Sequence, residues 1–251
     1  MKKIERLRLD NIYSTFRSGE EILPVLDGVS LTVMEGEFVT VIGPSGCGKS
    51  TILKIAAGLI KPDRGEVYHD GKSITGSPQL VGYMPQQDLL FPWKTLRQNA
   101  ALPLITTGMS KSKAHEKVEK MLPLFGLEGF ANYYPNQLSG GMKQRAALLR
   151  TMMVDSNIML LDEPFAALDA LTRVKMQDWL LQIWGKFKRS VLFITHSIDE
   201  AIYLSDRIYV ISDRPGKNTI EQKIDLPRPR RKNDLATAEF ANYKQLLFKS
   251  L

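Results

Sequence analysis

The chain predicts an α/β fold, a mixed sheet with flanking helices, an N-terminal antiparallel β region and an inserted helical subdomain. Three observations predict it. A strand-like run, Glu37-Phe-Val-Thr-Val-Ile42, feeds a glycine-rich turn and then an apolar helix pattern from Thr51 to Gly58. Two further apolar runs, Asn157 to Leu161 and Val191 to Thr195, lead straight into ionisable residues. From about Leu89 to Gln137, strand-like runs disappear and helix-period stretches replace them.

The N-terminal β region begins with a strand from about Ile4 to Leu9, after which Asn11 to Phe16 leads into a polar loop. Tyr13 and Phe16 are both candidates to stack on an adenine face, with an aromatic filling the sheet edge as the alternative for each. Val29-Ser-Leu-Thr-Val33 alternates as a half-buried strand. Past the first helix, Pro62-Asp-Arg-Gly65 turns into a strand at Glu66 to His69, and Asp70-Gly71 turns again. Leu80 to Met84 is a further short strand, placing Gln86 just beyond its C-terminal end. In open α/β sheets that is where ligands bind.

In the helical insertion, Ser110 to Phe125 sets Val118, Met121, Leu122 and Phe125 on one face, with His115 on the solvated side. Trp93 is either core of that insertion or a contact for a partner. Ser139 is positioned as an N-cap, and Gly140-Gly141 leave the following helix open to an anion; a plain capped helix start reads the same way. Asp162 and Glu163 end an apolar strand, where two carboxylates are costly unless a cation or proton chemistry uses them. His196 ends the next strand, and Ser197-Ile-Asp-Glu200 has capping-box spacing. Arg207 to Ser212 and Thr219 to Ile224 read as closing strands, Pro227 to Lys232 as a linker, and Phe240 to Leu251 as a terminal amphipathic helix.

Composition narrows the function classes. The 251 residues are 43% hydrophobic and 24% charged, those of an ordinary globular chain. A lone cysteine, Cys47, excludes an internal disulfide. No stretch approaches the ~18 apolar residues of a spanning helix. The start, Met1 to Asp10, alternates like a strand and lacks a signal-peptide core. Net charge is +7, and its densest run is Arg228-Pro-Arg-Arg-Lys232. Without interleaved aromatics that run reads as solvated surface charge, so a nucleic-acid partner is not expected.

The chemistry concentrates at Gly43-Pro44-Ser45-Gly46-Cys47-Gly48-Lys49-Ser50-Thr51. This is a phosphate-cradling pattern with the strand before it and the helix after it that such a loop requires. Backbone N–H groups and a helix N-terminus hold the anion, Lys49 can reach the β- and γ-phosphates, and the Ser50 hydroxyl can ligate Mg²⁺.

Taken together, GPSGCGKST at 43–51, Gln86, LSGGMKQR at 138–145, IMLLDEP at 158–164, ALD at 167–169 and His196 resemble the ATP-binding cassette family, motif for motif and in the same order. The likeness covers nearly the whole chain. It implies a P-loop NTPase core at 1–88 and 156–226, a helical subdomain at about 89–155, a cassette domain ending near 232 and a helical tail at 233–251. It implies ATP and Mg²⁺ as ligands, with Ser50, Gln86 and Asp162 at the metal. By the same resemblance, Glu163 would polarise the attacking water, Gln86 would sense metal and water, and His196 would contact the γ-phosphate. The resemblance also implies that two copies would sandwich ATP head to tail, so that Leu138, Ser139, Gly140, Gly141 and Gln144 would meet the nucleotide of the partner, with Asp169 in the dimer contact. Phe16 aligns with the adenine-stacking aromatic, Tyr13 being the alternative.

Leu89-Leu-Phe-Pro-Trp93 and Leu226-Pro-Arg-Pro-Arg230 resemble the nitrate, sulfonate and taurine importer ATPases, though thiamine-precursor importers have similar cassettes. That likeness implies separate transmembrane permease subunits, a solute-binding protein acting indirectly, and a peripheral place on the cytoplasmic face of the membrane. The competing function is a clamping ATPase acting on nucleic acid or ribosomes. Such proteins carry two cassettes or a long coiled coil, and no heptad pattern fills the interval from Lys49 to Ser139.

Overall fold

A computed structural model of the chain describes residues 4–19, 21–78 and 81–251. They form two compact units, one of residues 1–79 and 184–251 and the other of residues 80–183.

The first unit holds two sheets. β1 (Glu5–Ser18) and β2 (Glu21–Met34) form a long antiparallel hairpin, extended by β4 (Arg64–His69) and β5 (Lys72–Ser73) in the order β2-β1-β4-β5. β1 does not stop near Leu9 as its sequence suggests. Asn11 takes a φ of 51° and shifts the register against both neighbours, which absorbs the polar residue as a bulge and lets pairing resume. In β2 the side chains of Leu26, Val29, Leu31 and Val33 are buried, so one face of the hairpin is core.

The second sheet of this unit is built on β3 (Phe38–Ile42), every residue of which is buried. It lies parallel to β8 (Ser190–Ile194) on one side and to β9 (Arg207–Ile211) on the other, while β10 (Asn218–Lys223) returns antiparallel on β9. A strand enclosed on both faces is nearly continuous in apolar residues, as β3 and β8 are apart from Thr40 and Ser190. Asn218 of β10 brackets Ser30 of β2, accepting from its N–H at 2.8 Å and donating to its carbonyl at 2.9 Å. α1 (Lys49–Ala56), α6 (Ile198–Leu204) and α7 (Ala238–Ser250) complete the unit.

The second unit pairs β6 (Gly82–Met84) parallel to β7 (Ile158–Asp162) and carries α2 (Leu96–Thr106), α3 (Lys111–Met121) and α4 (Gly140–Met152). Leu80, included in the expected β6 strand, lies outside the described residues. Val118, Leu122 and Phe125 are buried as the helical period requires. α5 (Ala170–Phe187) runs across the division between the units.

Three expectations are corrected. His115 is half-buried rather than solvated; its Nε2 has no hydrogen-bond partner, and burial with Arg97 and Lys111 nearby pushes its pKa down. Trp93 is 69% exposed, so it is not core. The run from Arg228 to Lys232 is neither a free linker nor plain surface charge. Arg230 is 5% exposed, its guanidinium bonded to backbone carbonyls.

Candidate functional site

In the first unit two loops leave one sheet edge. β3 and β8 are parallel and in register at Val41 and Ile194, so the glycine loop after Ile42 and the His196 turn after Thr195 emerge side by side. Gly43 lies where a Cβ would fall 2.6 Å from the Ile211 carbonyl oxygen and 2.9 Å from Cys47 Sγ, which restricts the position to glycine. Gly48 has a φ of 105°, and a Cβ there would meet Leu26 Cδ2 at 2.6 Å. It is the N-cap of α1, so the N–H groups that follow have no side-chain cap.

Lys49 is buried. Its ammonium donates to the Gly43 carbonyl at 2.8 Å and the Pro44 carbonyl at 2.7 Å. The lysine is thus pre-positioned across the loop it belongs to. Cys47 is also buried, and burial pushes its thiol pKa up against the opposing influence of Lys49. Ser45 and Gly46 form the exposed crest.

The two aromatic candidates part company. In the hairpin register Thr15 faces Pro24 and Phe16 faces Leu23, so neighbouring residues of β1 point to opposite faces. Tyr13 lines a cleft of about 580 Å³ with Thr15, Pro24 and Arg64, and a Cβ on Gly28 would stand 3.1 Å from its hydroxyl. Phe16 is 62% exposed. On β2, Val25 Cγ1 lies 3.0 Å from the Cβ position of Gly48.

His196 is exposed at the end of β8. The Ser197 N–H donates to Thr195 Oγ1 at 3.1 Å, and Ser197 Oγ accepts from the Glu200 N–H at 3.3 Å. Ser197 is therefore the N-cap expected from its spacing, a contact of about 1 kcal/mol.

In the second unit the same edge logic places Gln86 and the carboxylates. Met84 and Leu161 are register partners in parallel strands, so Pro85-Gln86 and Asp162-Glu163 leave adjacent strand ends. Gln86 is exposed. Asp162 is 3% exposed, and burial together with its charge pushes the Tyr83 hydroxyl up to about 12. Glu163 holds a φ of 42°, rare for a side-chain-bearing residue, while its carbonyl accepts from the Ala166 N–H at 3.1 Å. Asp169 Oδ1 accepts from the Thr172 N–H at 3.0 Å at the start of α5; the Thr172 side chain first, and this N–H with it, hold the carboxyl pKa down.

Ser139 caps α4 through the Met142 N–H at 3.3 Å, with Gly140 exposed and Leu138 buried. Gln144 does not share that exposed helix start. Only 6% exposed, it turns inward among Met84, Leu148, Leu161 and Phe165, and its Oε1 has no hydrogen-bond partner.

Two residues escaped sequence reasoning. Arg150 donates to the Leu89 carbonyl at 2.7 Å and the Asp88 carbonyl at 2.8 Å, so α4 fixes the turn after Gln86. Asn99, fully buried, accepts from the Phe91 N–H and donates to the carbonyls of Phe91, Lys94 and Thr95, which holds the loop presenting Trp93. Arg150 has no local signal because it acts on backbone more than sixty positions upstream, whereas Asn99 acts on the turn four to eight residues before it, in a pattern that no capping or turn motif announces.

The donors expected at a metal are a hydroxyl on Ser50, a carboxylate on Asp162 and an amide oxygen on Gln86. Such hard oxygen ligands suit Mg²⁺. A buried carboxylate at a strand end is the chemical signature that fits a cation.

Residues 26–166 match the profile of the ABC transporter family. An uncharacterised ABC transporter ATP-binding protein of Methanocaldococcus jannaschii is 46% identical over 98% of this chain and 91% of its own length. The aliphatic sulfonates import ATP-binding protein SsuB of Bacillus cereus is 44% identical over 90% of this chain and 88% of its own. Among solved structures, the dimeric bacterial ABC transporter cassette MJ0796 aligns with a TM-score of 0.77 and 36% identity, over 88% of this chain and all of that one. The same cassette, bound to ADP and Pi in a post-hydrolysis dimer, aligns with a TM-score of 0.76.

Proposed function

Since the chain belongs to the ABC transporter family and is an ATP-binding, ATP-hydrolysing cassette, we propose that it drives an importer for aliphatic sulfonates or a related small anion. It does so as a head-to-tail pair attached to separate membrane subunits, on the cytoplasmic face. The sulfonate-import relatives support the solute class. No helix among the described residues is long and apolar enough to cross a membrane, which supports a separate permease. The exposed Trp93 with Phe91, rings 5.3 Å apart, is the surface we assign to that permease.

The observation that carries the catalytic reading is the emergence of the Lys49 loop and the His196 turn from adjacent parallel strands. Lys49 and the loop N–H groups from Gly43 to Thr51 bind the phosphates; His196 contacts the γ-phosphate. Ser50, Asp162 and Gln86 would hold Mg²⁺, which when bound neutralises charge on the β- and γ-phosphate oxygens. Glu163 accepts the proton of the attacking water, held at the turn by its left-handed backbone. Phe16 stacks on adenine, since Tyr13 is engaged against Gly28 on the other face of the hairpin. Ser139 and Gly141 meet the γ-phosphate bound by the second copy, and Asp169 borders the contact between copies.

Mixing tests the shared site. Ser139→Arg and Lys49→Ala proteins, each inactive alone, should regain activity together, because a mixed pair contains one site with both halves intact. No recovery at any ratio, with mixed pairs shown to form, overturns head-to-tail sharing. ATPase stimulation by a sulfonate-loaded binding protein, in vesicles holding the permease, tests the solute class.

A further inference from the structure

α6, which follows His196 directly, is only seven residues long. It has an N-cap of its own in Ser197 but no glycine to end it; its C-cap is Ser205, in extended conformation. The last carbonyls of such a helix need partners from elsewhere. They find them in two arginines of the Leu226-Pro-Arg-Pro-Arg230 segment. Arg230 Nη1 donates to the carbonyls of Ile202 at 2.8 Å, Tyr203 at 3.2 Å and Ser205 at 2.5 Å, and its Nη2 to Ile224 at 3.4 Å. Arg228 Nη2 donates to the Leu204 carbonyl at 2.7 Å.

The arginines are themselves anchored. Arg228 pairs with Asp206 at 2.8 Å and lies 4.2 Å over the Trp184 ring. Asp206 in turn accepts from the Phe38 N–H at 2.9 Å, at the first residue of β3. The Tyr203 hydroxyl donates back to the Arg230 carbonyl at 3.4 Å. Two cations at a helix C-terminus also face the negative end of its dipole. At the other end of α6, Lys244 of α7 pairs with Asp199 at 2.8 Å, three residues from His196. The segment after β10 thus grips α6 at both ends.

A helix of seven residues is about 10 Å long and moves as one piece. Whatever sets its C-terminus sets the Thr195–Ser197 turn at its N-terminus, and with it the imidazole of His196. We propose that Arg228 and Arg230 are positioning residues for ATP hydrolysis, acting on His196 through α6. The C-terminal segment is therefore part of the catalytic apparatus. The inference rests on the reading of His196 as a γ-phosphate contact.

The test is a kinetic cycle of Arg230→Lys, His196→Ala and the double variant, run on the full chain. Lysine keeps the charge but cannot span several carbonyls. Arg230→Lys should lower kcat about tenfold with KM for ATP within about twofold, and in the His196→Ala background should cost less than about twofold more. A second readout needs no turnover. The chain has three histidines, and the imidazole resonances of His196 should shift in Arg230→Lys while those of His69 and His115 stay in place. Equal losses in both backgrounds, with the His196 resonances unmoved, overturn the clamp. If Arg230→Lys does not fold, Arg228→Gln, which leaves Arg230 in place, is run through the same cycle with the same criteria. A His196→Ala protein as fast as the wild type removes His196 from the mechanism, whereas a slow one with no coupling to Arg230 removes only the clamp.

Discussion

The Lys49 ammonium is bonded to the carbonyl of Gly43, 2.8 Å away, within the loop that it closes. With Pro44 at 2.7 Å, the contact holds a buried cation inside the loop proposed to bind phosphate. The loop spends its own carbonyls to keep the side chain from folding away, so little order has to be gained on binding.

Lys49→Ala should therefore leave the fold intact, because the lysine acts as a point charge on phosphate and not through packing, yet abolish measurable ATPase. Circular dichroism melts check the first part and an ATPase assay the second. Full activity in this variant would remove Lys49 from the phosphate site.

Phe16→Ala should raise KM for ATP about tenfold, given the ~1–3 kcal/mol that stacking a base on an aromatic contributes. Tyr13→Ala should leave KM within about twofold and instead lower Tm by a few degrees, through lost packing against Gly28. The reverse pattern would assign the adenine to Tyr13.

Glu163→Gln keeps size and backbone but is a far poorer proton acceptor. Turnover should fall by about 10²–10⁴-fold while ATP binding survives. The variant should accumulate as an ATP-bound pair in size-exclusion chromatography with MgATP and not with ADP. Asp162→Asn should weaken nucleotide binding as well, since it removes the proposed metal donor. Wild-type turnover in Glu163→Gln would exclude Glu163 as the base.

Tyr83 offers a pH test. Its hydroxyl is pushed up to about 12 by burial, with the charge of Asp162 adding to the shift. A raised pKa in the folded state means that its contribution to stability is complete below the ordinary value of 10.0 and is lost as pH climbs towards 12. Difference absorbance of tyrosinate between the wild type and Tyr83→Phe should show this one group ionising late. Asp162→Asn should bring its titration part of the way back. An ordinary titration in the wild type would mean that the hydroxyl is not held in this environment.

What the sequence by itself determined is whatever depends on near neighbours along the chain. The loop from Gly43 to Thr51, the cap at Ser197, the cap at Ser139 and the apolar strands ending at Asp162 and Thr195 are all local, because a turn or a cap needs particular residues within three or four positions. Only the tertiary structure decided what those pieces meet. Arg228 and Arg230 look like surface charge in a proline-broken linker because their partners, the carbonyls of residues 202–205, lie more than twenty positions upstream. Gln144 belongs by motif to an exposed helix start, yet the 100° step between helix residues turns it to the buried face. Tyr13 and Phe16 were both candidates by sequence, with Phe16 preferred; only the strand register, which alternates faces, shows that they point to opposite sides of the hairpin. Arg150 gave no sign at all, because a side chain that bonds a backbone some sixty positions away has no preferred neighbour in the sequence.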